Sequence, residues 1–176
     1  SNHPKLSLSI NELGALYEKK LWHELTLALD SFLDQHGKAL GEGALDVYHG
    51  FISNFEARLQ NVRFSTLISK IADSLGDASK AQELFETVLK SRSRLGAQAS
   101  LCLDMDIVLL RLQSDDLEYA KAALEEAKPI ISSMTSAETA PFSKYYRAYA
   151  EYKKRIGQLG DFYEAALMFL AYTKVE

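Results

Sequence analysis

A single spacing recurs along this chain and leaves little room for anything but helices. Counting from Asp161, small or apolar residues fall at Ala165, Met168, Phe169 and Tyr172, the three- and four-residue steps that make one stripe of a helix. From Asp77 the same steps reach Ala81, Leu84, Phe85 and Val88, and from Asp116 they reach Ala120, Ala123, Leu124 and Ala127. A fainter copy starts at Leu21 and runs through Leu25, Ala28, Leu29 and Phe32. Each copy follows, across a turn of a few residues, another amphipathic stretch. The pattern is that of stacked pairs of antiparallel helices, and β structure has almost no support.

Taken in order, Ser9-Ile10-Asn11-Glu12 has capping-box spacing and predicts a helix start at Ser9. Gly37, Gly41 and Gly43 predict a flexible link after the second helix. Leu45, Tyr48, Ile52, Phe55 and Leu59 predict a third helix with one buried side. Asn61 is the expected cap of a helix carrying Phe64, Leu67, Ile68, Ile71 and Leu75, and Asp77 caps the next. After a connector at Ser91-Arg92-Ser93-Arg94, the stripe Cys102, Met105, Leu109 and Leu112 leads to Ser114-Asp115-Asp116. Pro129 predicts a kink or an early end near Lys128, because proline removes one ladder bond and crowds the preceding turn. A linker through Thr135 and Pro141 precedes an aromatic-rich pair. The hairpins are expected at about 9–36, 43–91, 95–134 and 140–173, within one domain over 5–176.

The last helix is apolar on every side from Phe162 to Tyr172, and such a helix expects cover all round. The expectation is therefore a fragment whose exposed side normally meets a further helical pair or domain. Residues 1–4 are expected to be a tag remnant and a disordered start, since Ser1-Asn2-His3 resembles what tag cleavage leaves.

Composition narrows the function classes. A net charge of -4 and the lack of any basic block argue against a nucleic-acid groove, which must release counterions from phosphates. The longest apolar run, Ala165 to Tyr172, is far short of the roughly 20 residues that cross a bilayer, so a soluble chain without membrane contact is expected. One cysteine forms no internal disulfide, which favours a reducing compartment, the cytoplasm or nucleus.

Motifs for chemistry mostly fail. His23-Glu24-Leu25-Thr26-Leu27 begins like a zincin, but Leu27 stands where the second histidine ligand belongs. Gly41-Glu42-Gly43 lacks the third glycine of a dinucleotide fingerprint, and Gly37-Lys38 lacks the remainder of a P-loop. Cys102 sits on an apolar stripe with Met105 and reads as core. Asp104, Asp106, Asp115, Asp116 and Glu118 lack EF-hand spacing and read as solvated helix ends, with acids favoured by the helix dipole. His49 reads as a polar-face residue. No catalytic residue, metal site, cofactor or small-molecule substrate is expected. The candidate partner-binding residues are Tyr145, Tyr149 and Tyr152, because tyrosine offers broad amphipathic contact at low entropic cost. Packing between repeats, with hydroxyls reaching solvent, is the alternative for the same three.

Two blocks carry a resemblance to a known family. Leu16-Tyr17-Glu18-Lys19-Lys20-Leu21-Trp22-His23-Glu24-Leu25-Thr26 and Tyr48-His49-Gly50-Phe51-Ile52-Ser53-Asn54-Phe55-Glu56, with Ser143-Lys144-Tyr145-Tyr146 and the segment Phe162 to Leu170, resemble the N-terminal half of the proteasome lid subunit family numbered nine in yeast and thirteen in mammals. The resemblance implies an all-α fold: a right-handed superhelical array of antiparallel hairpins of about nine helices, TPR-like and PCI-associated, with the C-terminal PCI winged-helix domain absent. It implies a non-catalytic scaffold of the 26S proteasome regulatory particle lid in ubiquitin-dependent degradation. Its implied partners are other lid subunits and the neighbouring ubiquitin-receptor subunit. A TPR-like peptide-binding adaptor, a PCI subunit of the signalosome or a translation initiation complex, and an all-helical enzyme are the other readings. An adaptor would show the repeat's Trp/Gly/Tyr/Pro signature and a basic carboxylate clamp, and an enzyme would gather polar groups in a pocket.

Overall fold

The computed structural model describes residues 3–135 and 138–173, with the backbone alone for residues 3–8. Among these residues the fold is all-α, with nine α-helices and no strand. The chain divides into two compact units, Ser1–Leu84 and Phe85–Glu176.

In the first unit, α1 (His3–Glu18) turns tightly into α2 (Trp22–Leu40). Lys20 adopts φ 55°, and the Leu21 N-H reaches back to the Leu16 carbonyl at 3.1 Å, closing the end of α1. Because α1 opens at His3, Ser9 lies inside the helix rather than at its start, and His3-Pro4 fall within α1. The rest of the expected tag remnant, Ser1-Asn2, lies outside the described residues. α2 packs on α1 and on α4 (Asn61–Leu75), burying Leu25 and Leu29 from one side and Phe64, Ile68 and Ile71 from the other. Each such side chain contributes about 1.5–3 kcal/mol of transfer free energy. Gly37 is no link. It sits buried within α2, where a Cβ would come 2.5 Å from Ser74 Oγ, so the small residue admits the close approach of α4. Gly41, at φ 53°, is the residue that ends α2.

The expected third helix is real in its burial and wrong in its continuity. α3 covers only Gly43–Gly50, and two single 3-10 turns, Ile52–Asn54 and Glu56–Arg58, carry the chain onward. Tyr48, Ile52, Phe55 and Leu59 are nevertheless all buried. Ser53 and Asn54 break the helix by hydrogen-bonding back to the carbonyls of His49 and Gly50, at 2.7 and 3.0 Å, in competition with the backbone ladder. The cap of α4 is Gln60, whose side chain accepts from the Arg63 N-H at 2.6 Å, one residue before the expected Asn61. α5 (Ala78–Leu89) is capped by Asp77, which accepts from the Ser79 and Lys80 N-H groups. Its stripe Ala81, Leu84, Phe85 and Val88 is buried throughout.

The second unit holds α6 (Arg92–Gln113), α7 (Leu117–Ser133), α8 (Ala140–Arg155) and α9 (Leu159–Tyr172). α8 packs on all three of the others, and α6 also packs on α7. α6 is the buried axis: Leu101, Leu103, Met105, Val108 and Leu112 are almost wholly enclosed. Gly96, at φ 75° and ψ 171°, breaks its first turn from the rest, a conformation open to glycine and strained for other residues. Asp116 caps α7 by accepting from the Tyr119 N-H at 3.2 Å. Pro129 does not end α7, which runs on to Ser133. Pro141 lies in the first turn of α8 rather than in a linker, where its missing N-H costs nothing. The middle of that linker, Ser136-Ala137, lies outside the described residues.

α9 differs from the other copies of the motif. Ala165 is buried, but Leu167 is 68% and Leu170 58% exposed, and Leu159, Tyr163 and Met168 are exposed too. Asp161 is not its cap, because the helix opens two residues earlier, at Leu159 after Gln158. The Asp161 carboxylate instead pairs with Lys153 at 2.7 Å.

Candidate interaction surface

The three candidate tyrosines of α8 stand at i, i+4 and i+7, one face of the helix, and that face looks onto α7. Tyr145 belongs to the core with Leu124, Ala127 and Ile131, while Tyr149 and Tyr152 are half-buried against it. Tyr149 stacks on Tyr145 with centroids 5.8 Å apart and planes at 12°, and Tyr146 meets Tyr145 edge-on at 5.3 Å. Burial pushes the Tyr145 hydroxyl up to about 12, with the neighbouring Tyr149 and Tyr146 adding to the effect. Lys153 Nζ lies 5.2 Å from the centroid of the Tyr149 ring, a cation over a π face. Its hydrogen bond to Asp161 holds the ammonium above the ordinary lysine range.

Together Tyr145, Tyr149 and Tyr152 line a cleft of about 380 Å³. Its opposite wall was not among the candidates: Lys121, Leu124, Glu125 and Lys128 of α7, joined by Ile156 and Gln158 at the turn into α9. The signal for them is plain in retrospect. Positions 121, 124, 125 and 128 are the i, i+3, i+4, i+7 face of α7. The arrangement is suited to holding a side chain and its flanking charges. It brings together no nucleophile, base and orienting group of the kind acyl or phosphoryl transfer requires.

Four of the five candidate acidic residues are engaged. Asp104 receives a two-pronged bond from Arg92, and Asp106 pairs with Lys144 where α6 meets α8. Asp115 pairs with Arg155 at 2.6 Å, and Asp116 is the α7 cap. Glu118 is exposed in the first turn of α7, where the dipole favours it. Among the described residues no group of His, Cys, Asp and Glu is placed to hold a metal ion. Cys102 is buried, whereas His23 and His49 are exposed. No helix among the described residues is long and apolar enough to cross a membrane.

Trp22, Tyr17, Phe51 and Phe55 form an aromatic knot in the first unit, with Trp22 stacked on Phe55 at 5.8 Å and Tyr17 5.5 Å from both phenylalanines. The two sequence blocks most specific to the resemblance are thus one packed cluster. A family profile described as PSD13 N-terminal repeats matches residues 9–176. The chain belongs to that family.

The relatives agree. The chain is 28% identical to the 26S proteasome non-ATPase regulatory subunit 13 homolog A of Arabidopsis thaliana, over 100% of this chain and 47% of that protein. It is 28% identical to homolog B of the same plant, over 99% of this chain and 46% of that protein. Against the 26S proteasome non-ATPase regulatory subunit 13 of Dictyostelium discoideum it is again 28% identical, over 98% of this chain and 45% of that protein. The chain spans about half the length of the curated relatives it matches. As a member of the PSD13 N-terminal repeats it has both the knot of the first unit and the tyrosine-lined cleft of the second inside the matched span.

Proposed function

We propose that this chain is the helical-repeat part of a non-catalytic structural subunit of the 26S proteasome regulatory particle lid. The observation that carries the proposal is alignment of the whole chain with relatives named as 26S proteasome regulatory subunits, under a family profile that matches residues 9–176. The physical character of the chain supports it. Several of its polar side chains cap helices or bridge them, as in Asp116 on α7 and the Asp106–Lys144 pair between α6 and α8. Helices stacked through apolar stripes are suited to presenting surface for protein contact.

In this reading the subunit works by holding lid subunits together in ubiquitin-dependent degradation, with the neighbouring ubiquitin-receptor subunit among its partners, in the cytoplasm and nucleus. The test is affinity purification of the tagged full-length protein followed by mass spectrometry. Recovery of the lid subunits in near-equal amounts is expected. A clean preparation that brings down signalosome or initiation-factor subunits instead, or no other subunit, rejects the proposal.

A further inference from the structure

We propose that the cleft between α7 and α8 is a docking groove for an acidic peptide segment of a partner protein, one that carries a single large apolar anchor. The floor is closed and apolar, since Leu124 and Tyr145 are both buried. Tyr149, Tyr152 and Ile156 stand half-buried above it, and the volume of about 380 Å³ accommodates one large side chain and its neighbours. The two tyrosine rings give contact area with few rotors to freeze, and their hydroxyls leave bonding capacity at the rim.

Charge selects the kind of peptide. The cleft is lined by Lys121, Lys128 and Lys153 against one carboxylate, Glu125. Lys153 is already committed to Asp161. Lys121 and Lys128 are exposed and, among the described residues, form no ion pair. A local cationic excess on a chain of net charge -4 departs from the average of the surface. It attracts carboxylates and repels basic segments. The two lysines are two turns apart on α7, about 10 Å along the axis at 1.5 Å per residue. An extended chain covers that distance in about three residues. Two lysines make too short a basic track for a nucleic-acid backbone, whose affinity grows with the number of phosphates neutralised.

The experiment is fluorescence anisotropy on the full-length protein, using a fluorescein-labelled peptide of Asp and Glu flanking one central Phe. Three protein forms are compared: the unaltered chain, Lys121→Glu with Lys128→Glu, and Lys38→Glu on α2 as a charge control. The three lysines are exposed, so the melting temperatures are expected to agree. Saturable binding is expected, weakened about tenfold or more by the paired reversal and unaffected by Lys38→Glu. Replacing the peptide's Phe by Ser should weaken it comparably. No saturable binding, equal binding to the paired variant, indifference to the Phe, or displacement by single-stranded RNA as effective as by unlabelled peptide would each overturn the inference. The protein is measured alone, so failure here with lid subunits still recovered leaves the proposed function standing. The reverse result leaves the groove standing.

Discussion

Tyr145 shows how one residue can be at once a sequence candidate and a core member. The residue is only 5% exposed, and burial raises the pKa of its hydroxyl from the ordinary 10 to about 12. The folded state therefore favours the neutral phenol more strongly than the unfolded chain does. A group whose pKa is raised on folding contributes stability that is complete below its unfolded value and lost as the pH climbs through its folded value. Tyr145 should accordingly stabilise the fold up to about pH 10 and cease to do so by about pH 12. Tyr145→Phe removes the ionising group but keeps the ring. Urea unfolding of the two proteins across that window is expected to show a shallower alkaline loss in the variant; parallel curves would reject the assignment. Whether Tyr145 was core or surface was not legible from an i, i+4, i+7 row of identical residues. Only the position of α7, with Leu124 and Ala127 facing the row, decides it.

At the scale of the element, the copies of the repeated motif look alike in sequence and differ in what their aspartates do. Asp77 and Asp116 accept backbone N-H groups and cap α5 and α7. Asp161 is displaced into the first turn of α9 because that helix begins after Gln158, and its carboxylate turns to Lys153. Capping aspartates replaced by alanine typically cost about 1 kcal/mol, and an ion pair with a half-exposed carboxylate, as in Asp161–Lys153, about 0.5 kcal/mol. Asp116→Ala is therefore expected to lower the unfolding free energy about twice as much as Asp161→Ala, measured by chemical denaturation under one set of conditions. Equal losses would mean that α9 is capped by Asp161 after all. The stripes themselves were legible, since apolar period is a property of the chain. The breaks were less so. Ser53 and Asn54 end a helix that their neighbours' spacing continues, and Ser9 has cap-like spacing inside a helix that has already begun. Both outcomes depend on which backbone groups a side chain finds, which spacing does not encode. Gly37 read as part of a flexible link for the same reason, because its role is set by Ser74 of another helix.

For the molecule as a whole, the all-α fold and the family were legible because both rest on long patterns, many residues deep, that local errors at caps and turns do not erase. The apolar surface of α9 was legible as well, and the fold divides its residues sharply. Leu167 and Leu170 are more than half exposed, whereas Ala165, on the same helix, is 4% exposed. Area that is already in water adds nothing to the free energy of folding, so exposed leucines can be exchanged at little cost, while a charge placed in a closed contact must be desolvated without a partner. Leu167→Glu combined with Leu170→Glu is expected to change the unfolding free energy by less than about 0.5 kcal/mol, and Ala165→Glu to cost more than about 3 kcal/mol. Denaturation at low protein concentration, checked for monomer by sedimentation, reads the two side by side. A loss of several kcal/mol in the double leucine variant would mean that this face is covered in the solution state of the chain, and the description of α9 as open would fail.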